Sequence, residues 1–324
     1  MVKLLLDQLA NQIHRAVDQL PSTAFPQPAH RLRSAMNGVV GDKLHSWNHP
    51  LTQTMELVNE NGQTVNLGQL QNESKQGVVL FVHGLCLSEV DWQSTAHEKF
   101  VAELRGQGFS VAWLRYNTGL PIWENGIELA QLLNGQWQAD TDKALRMVGH
   151  SMGGLIVRSA SYHGRRVYQH PWVDALSHAA YLASPHHGAP LEKIGDMANK
   201  LLGNTPYTKP FMALGNIRSR GIRSLRHGNI TQPTHPKEHQ ETLPFDDQCE
   251  HFLLGALLSQ DVSNVVVGDG LVTQASAMGG PHFPQQHSKV QRLMLDDVGH
   301  IRMLHDNRTY TALTRWFEIT ATKN

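Results

Sequence analysis

Three side chains in this sequence have the types and chain order to carry nucleophilic chemistry: Ser151, Asp269 and His300. A serine hydroxyl attacks a carbonyl only when a base takes its proton, and the base needs a third group to orient it. Ser151 lies in Gly149-His150-Ser151-Met152-Gly153-Gly154. Flanking glycines suit a turn from a strand straight into a helix, where a Cβ would meet backbone. Such a turn lifts the hydroxyl out of the sheet and sets the Met152 N–H beside it, at a helix N-terminus. Downstream, the best acid is Asp269 in Gly268-Asp269-Gly270-Leu271-Val272, with Asp261 as runner-up. The best base is His300 in Asp297-Val298-Gly299-His300-Ile301, with His305 as competitor. The order nucleophile, acid, histidine is the one expected of a strand–turn–helix nucleophile.

The elements that must position these groups follow from periodicity. Val78-Val79-Leu80-Phe81-Val82 is wholly apolar, as in a strand buried on both faces. Further strands are expected at Val111–Leu114, Leu145–Val148, Ala179–Leu182, Phe252–Leu254 and Leu293–Leu295. Helices are expected from a capping box at Thr95-Ala96-His97-Glu98, after Pro121, over Leu155–His163 and over Thr309–Ile319. Strands alternating with helices predict an α/β fold with a mostly parallel sheet covered on both faces, its working groups at the strands' carboxyl ends. Residues 1–75 read as an N-terminal extension: a helix over 1–20, an irregular connection over 21–50, and a β-hairpin, 54–58 with 63–67, around Asn61-Gly62. Residues 76–320 form the main domain. Within it, 190–245 breaks the alternation and carries Leu201, Leu202, Phe211, Met212, Leu214 and Ile222, which predicts a cap or lid.

An oxyanion needs two converging N–H groups. Met152 offers one and Leu85, in His83-Gly84-Leu85, the other. His83, Gly84, His150 and Trp92 are candidates for contact with substrate. His83 is also readable as a brace for its loop, and Trp92 and Trp123 as core.

With 324 residues the chain can bury a large core. It balances 28 basic against 28 acidic residues, so no global field draws it to nucleic acid or an anionic membrane. Two cysteines, Cys86 and Cys249, imply no disulfide framework and a reducing, cytoplasmic location; whether the two pair stays open. No stretch reaches membrane-spanning length. His235 and His239 lie four apart, but Pro236 opposes a helix carrying both, and neither metal nor cofactor is expected. Arg218, Arg220, Arg223 and Arg226 read as a solvated face that could also meet an anionic lipid head group.

Taken together, the His83-Gly84-Leu85 loop, the Ser151 elbow, Ser184-Pro185-His186-His187-Gly188, Gly268-Asp269-Gly270-Leu271-Val272 and Val298-Gly299-His300 resemble those of lipase-type α/β-hydrolases. The chain is similar to soluble relatives of the GPI-inositol-deacylase group over roughly residues 75–320. The resemblance implies Ser151, Asp269 and His300 as a catalytic triad, Leu85 and Met152 as oxyanion donors, and cleavage of a carboxylic ester through an acyl-enzyme. A thioesterase, amidase or acyltransferase would use the same triad, and an inactive relative could bind lipid or protein. The first 75 residues match no part of the pattern.

Overall fold

The computed structural model describes residues 27–139, 141–202, 218–233, 242–243, 245–258 and 268–319. The apolar run at Val78–Val82 lies in the middle of a seven-stranded sheet. Its strands are β1 (Glu56–Val58), β2 (Gly77–Val82), β3 (Phe109–Arg115), β4 (Ala144–His150), β5 (Leu176–Leu182), β6 (Glu250–Leu257) and β7 (Val290–Asp296), in the order β1-β3-β2-β4-β5-β6-β7. The pairings from β3 to β7 are parallel, and β1 runs antiparallel on the β3 edge.

Every residue of β2 is buried because both faces are covered. Val78, Leu80 and Val82 point into one core, with Ile122, Leu129 and Leu133 of α4 (Ile122–Gln136) and Leu155 and Ile156 of α5 (Met152–Tyr162). Val79 and Phe81 point into the other. There they meet Phe100 and Leu104 of α3 (Thr95–Gly106) and Tyr310 and Leu313 of α10 (Asn307–Trp316). From β2 the chain steps outward to β3, then crosses back to β4 on the other side of β2. That reversal opens a crevice at the carboxyl ends of β2 and β4, where Val82 pairs with Gly149.

Several expectations need correction. Residues 27–46, read as irregular, form the helix α1. Its Gly38 and Gly41 look like loop residues but mark close approach: a Cβ on Gly38 would collide with Cys86 Sγ, and one on Gly41 with Asn117 Oδ1. The turn at Asn59–Gly62 forms, with Gly62 at φ +74°, yet only the single bridge Val58–Thr64 follows it. The first arm instead joins the main sheet as β1, and the second leads into α2 (Leu67–Glu73), capped by Asn66. Ser94, not Thr95, caps α3 by accepting from the His97 N–H at 3.1 Å.

Past the short helix α6 (Trp172–Ala175), the predicted insertion contains α7 (Leu191–Leu202) and α8 (Arg220–His227), and α9 (Gln274–Ala277) follows it. Ile194, Ala198, Ile222 and Leu225 are buried. Ser219 caps α8 and donates its hydroxyl to the Gly38 carbonyl at 2.6 Å, fastening α8 to α1. Arg220 pairs with Glu124, while Arg223 and Arg226 are exposed. The predicted helix over 1–20, residues Phe211, Met212 and Leu214, and the side chains of Leu201 and Leu202 lie outside the described residues. Cys86 and Cys249 are separate, buried thiols. Among the described residues no helix is long and apolar enough to cross a membrane.

Candidate active site

β4 ends at His150 and α5 begins at Met152, which leaves Ser151 alone at the turn. Its backbone sits at φ 54°, ψ −123°, a region that costs a side-chain-bearing residue on the order of 1–3 kcal/mol. The surroundings hold it there. A Cβ on Gly149 would lie 2.5 Å from Gly154 Cα, and one on Gly153 would fall on the Val82 carbonyl. The Ser151 N–H donates to the Leu182 carbonyl at 2.8 Å, tying the turn to β5.

His300 follows β7 on a loop pinned by the Val298 N–H to the Leu257 carbonyl, 3.0 Å. Its Nδ1–H donates to Asp269 Oδ2 at 2.7 Å, which leaves Nε2 to accept the Ser151 hydroxyl at 2.8 Å. Asp269 Oδ1 accepts the N–H groups of Leu271 at 2.9 Å and Val272 at 2.8 Å. Burial alone would raise the Asp269 pKa. The facing His300 and the two N–H groups outweigh it and hold the carboxyl below its ordinary value. All three side chains are buried.

The loop after β2 is braced from several sides. His83 stacks on Tyr116 with ring centres 4.5 Å apart, and the Tyr116 hydroxyl donates to the His83 carbonyl at 2.7 Å. The Cys86 N–H is taken by Thr118 Oγ1 at 3.2 Å, and the Leu87 N–H by the Gly84 carbonyl at 3.2 Å. A Cβ on Gly84 would stand 2.9 Å from Ser151 Cβ, so the loop lies directly against the Ser151 turn.

In three dimensions the chain is similar to solved hydrolases. The propeptide form of the Bacillus licheniformis lipase BlEst2 superposes with a TM-score of 0.50 at 18% identity, covering 84% of this chain and 55% of that one. The fold is that of the α/β-hydrolases. The mature form of the same lipase gives a TM-score of 0.48 at 17% identity, covering 82% of this chain and 97% of that one. The carboxylesterase CesB of Bacillus subtilis gives 0.46 at 11% identity, covering 90% and 99%. Residues 72–203 match the model of a family described as "Putative serine esterase (DUF676)". No curated protein matches the sequence.

Within this fold the structure brings Ser151, Asp269 and His300 into one chain of hydrogen bonds and sets Gly84 against it. His150 makes a bond that its place in the sequence did not predict: its Nε2–H donates to the His300 carbonyl at 2.9 Å. Burial, with the neighbouring His300, pulls its pKa to about 3, so it is neutral. Trp92 is fully buried, 5.0 Å from the Phe81 ring, and turns an edge toward His150 at 6.4 Å. It belongs to the same core as Phe81. His305 is exposed, with Nε2 3.0 Å from the Asp91 carbonyl. Asp261, His235 and His239 lie outside the described residues. Among those described, no group of three or more His, Cys, Asp or Glu side chains is placed to hold a metal. Tyr116 and Thr118, which hold the loop after β2, carried no sequence signal, because their role depends on a contact between distant loops.

Proposed function

We propose that this α/β-hydrolase cleaves carboxylic esters with Ser151 as nucleophile, His300 as base and Asp269 as the group that orients it. The observation that carries the proposal is the unbroken relay of 2.8 Å from Ser151 Oγ to His300 Nε2 and 2.7 Å from His300 Nδ1 to Asp269 Oδ2. Ser151 Oγ attacks the ester carbonyl as its proton passes to His300 Nε2. The imidazolium so formed faces the buried Asp269 carboxylate, which stabilises it without itself taking the proton. The tetrahedral oxyanion is received by the N–H groups of Met152 and Leu85. Leu85 is favoured within its loop because the Cys86 and Leu87 N–H groups are already taken. His300 then gives the proton to the leaving alcohol, and water repeats the sequence on the acyl-enzyme.

An apolar acyl chain is the preferred substrate class, since the insertion over 190–245 carries Leu201, Leu202, Phe211, Met212, Leu214 and Ile222. Fluorophosphonate labelling, followed by turnover of p-nitrophenyl esters of graded chain length, tests the reading. Strong labelling that Ser151→Ala abolishes is the expected result. Equal labelling of both proteins would remove Ser151 from the mechanism.

A further inference from the structure

Arg158 lies two helical turns beyond Ser151 on α5 and is 5% exposed. Among the described residues, none of its three guanidinium nitrogens has a hydrogen-bond partner. A buried cation without a counter-charge is among the costliest arrangements a fold can hold. The orphaned groups do not stop there. Among the described residues, neither ring nitrogen of the fully buried His186 has a partner, and Ser184 Oγ and His282 Nδ1 are buried and unpartnered as well.

Arg158, His186 and His282 are close enough to feel one another's charge. Arg158 lies over the Phe283 ring at 5.5 Å, and His186 packs against the same ring at 5.0 Å. Gly154, one turn before Arg158 on α5, is so close to Ser184 that a Cβ there would strike its hydroxyl. His282 directly precedes Phe283. The nearby carboxylate cannot serve Arg158. Asp246 lines, with Arg158 and Phe283, a small cavity of about 20 Å³, but its Oδ2 takes Arg165 Nε and Ser161 Oγ, each at 2.9 Å, and its Oδ1 takes the Gln248 N–H. Tyr181, between Arg158 and His251, gives its hydroxyl to His251 Nδ1 at 3.1 Å. Burial draws the Arg158 pKa down to about 10 and keeps His186 well below its ordinary range, so the cluster holds one fixed cation and neutral imidazoles able to donate.

We propose that this cluster is a binding site for a small free oxyanion, a phosphate or a carboxylate, held by the Arg158 fork with His186, His282 and Ser184 as further donors. The site is separate from the Ser151 relay. An anion there would tie α5, which carries the nucleophile turn, to the Ser184–Gly188 loop and to the Gly280–His282 turn.

The test is thermal unfolding of the full chain in anion-poor buffer, titrated with inorganic phosphate or acetate against chloride at constant ionic strength. A saturable rise in Tm of about 3 °C or more with phosphate is expected for the wild type, and none for Arg158→Met. A rise with acetate alone assigns the ligand as a carboxylate and supports the site equally. No rise with either probe, or the same rise in Arg158→Met, overturns it. Should Arg158→Met fail to fold, Arg158→Lys keeps the charge and loses the fork. Half-saturation is then expected to move up tenfold or more, and an unchanged value overturns the proposal.

Discussion

At the scale of single residues, Asp269 shows how much one proton's position decides. Its Oδ2 accepts from His300 Nδ1, and only that tautomer leaves Nε2 free to accept from Ser151. Asp269→Asn would present an N–H₂ or a weaker acceptor to Nδ1, and a reversed tautomer has no acceptor for the hydroxyl. Ester turnover is expected to fall about 10⁴-fold, with the melting temperature little changed because the side-chain oxygen still accepts from Leu271 and Val272. A loss of only a few-fold would make Asp269 a turn residue. His150 acts one step back, through its bond to the His300 carbonyl. His150→Phe keeps the bulk and loses the donor, so kcat should drop on the order of tenfold to a hundredfold with KM nearly constant. A raised KM at constant kcat would instead restore His150 as a substrate contact. The three residues of this hydrogen-bonded relay were legible in the sequence because residue type and chain order constrain them. The role of His150 was not, because adjacency to Ser151 does not say which way a side chain points.

At the scale of elements, the helix α1 was hidden by its own packing. Gly38 and Gly41 weaken it as a helix, yet they let it lie against Cys86 and Asn117. Sequence periodicity reports a helix's intrinsic preference, whereas here tertiary contact decides. The same helix meets the sheet edge through Glu89. His30 of α1 lies 3.1 Å from Glu89 Oε1, and Arg115 of β3 reaches Glu89 with Nε at 3.0 Å and Glu56 of β1 with Nη1 at 2.8 Å. Burial would raise the Glu89 pKa, but His30 and Arg115 bring it down to about 2. Glu89→Gln leaves Arg115 without one of its two carboxylates and is expected to destabilise the fold by about 3 kcal/mol. The pH dependence has a definite sign. A carboxyl depressed in the folded state stabilises fully above its unfolded value of 4.5, and that contribution fades as pH falls from there toward 2. Urea unfolding of wild type and variant should therefore differ most near neutrality and converge at low pH. A gap that persists unchanged down to pH 2 would mean the ion pair is not its source.

At the scale of the whole molecule, the twenty histidines acquire a meaning their number alone did not suggest. Several are packed as neutral aromatic rings. His97 sits among Phe81, Trp92 and Trp113 on one face of the sheet, while His251 stacks on Tyr181 on the other. Burial lowers His97 and His150 to about 3 and His251 to about 4, against 6.5 in an unfolded chain. Above pH 6.5 both states are neutral and these groups have no pH-dependent effect. Below it the unfolded chain takes up protons that the folded chain refuses, so stability falls with pH. At pH 5 each such histidine costs on the order of 2 kcal/mol, and three together approach the net stability of an ordinary domain. Global charge repulsion is a weaker cause, since acidic and basic residues balance. The urea midpoint is accordingly expected to drop steeply between pH 7 and pH 5. His251→Gln isolates one contributor, because Gln retains an acceptor for Tyr181 and a donor for the Asp246 carbonyl. That variant should lose less stability than wild type over the same interval, by about 2 kcal/mol. Parallel pH profiles for the two proteins would move the cause away from the buried imidazole.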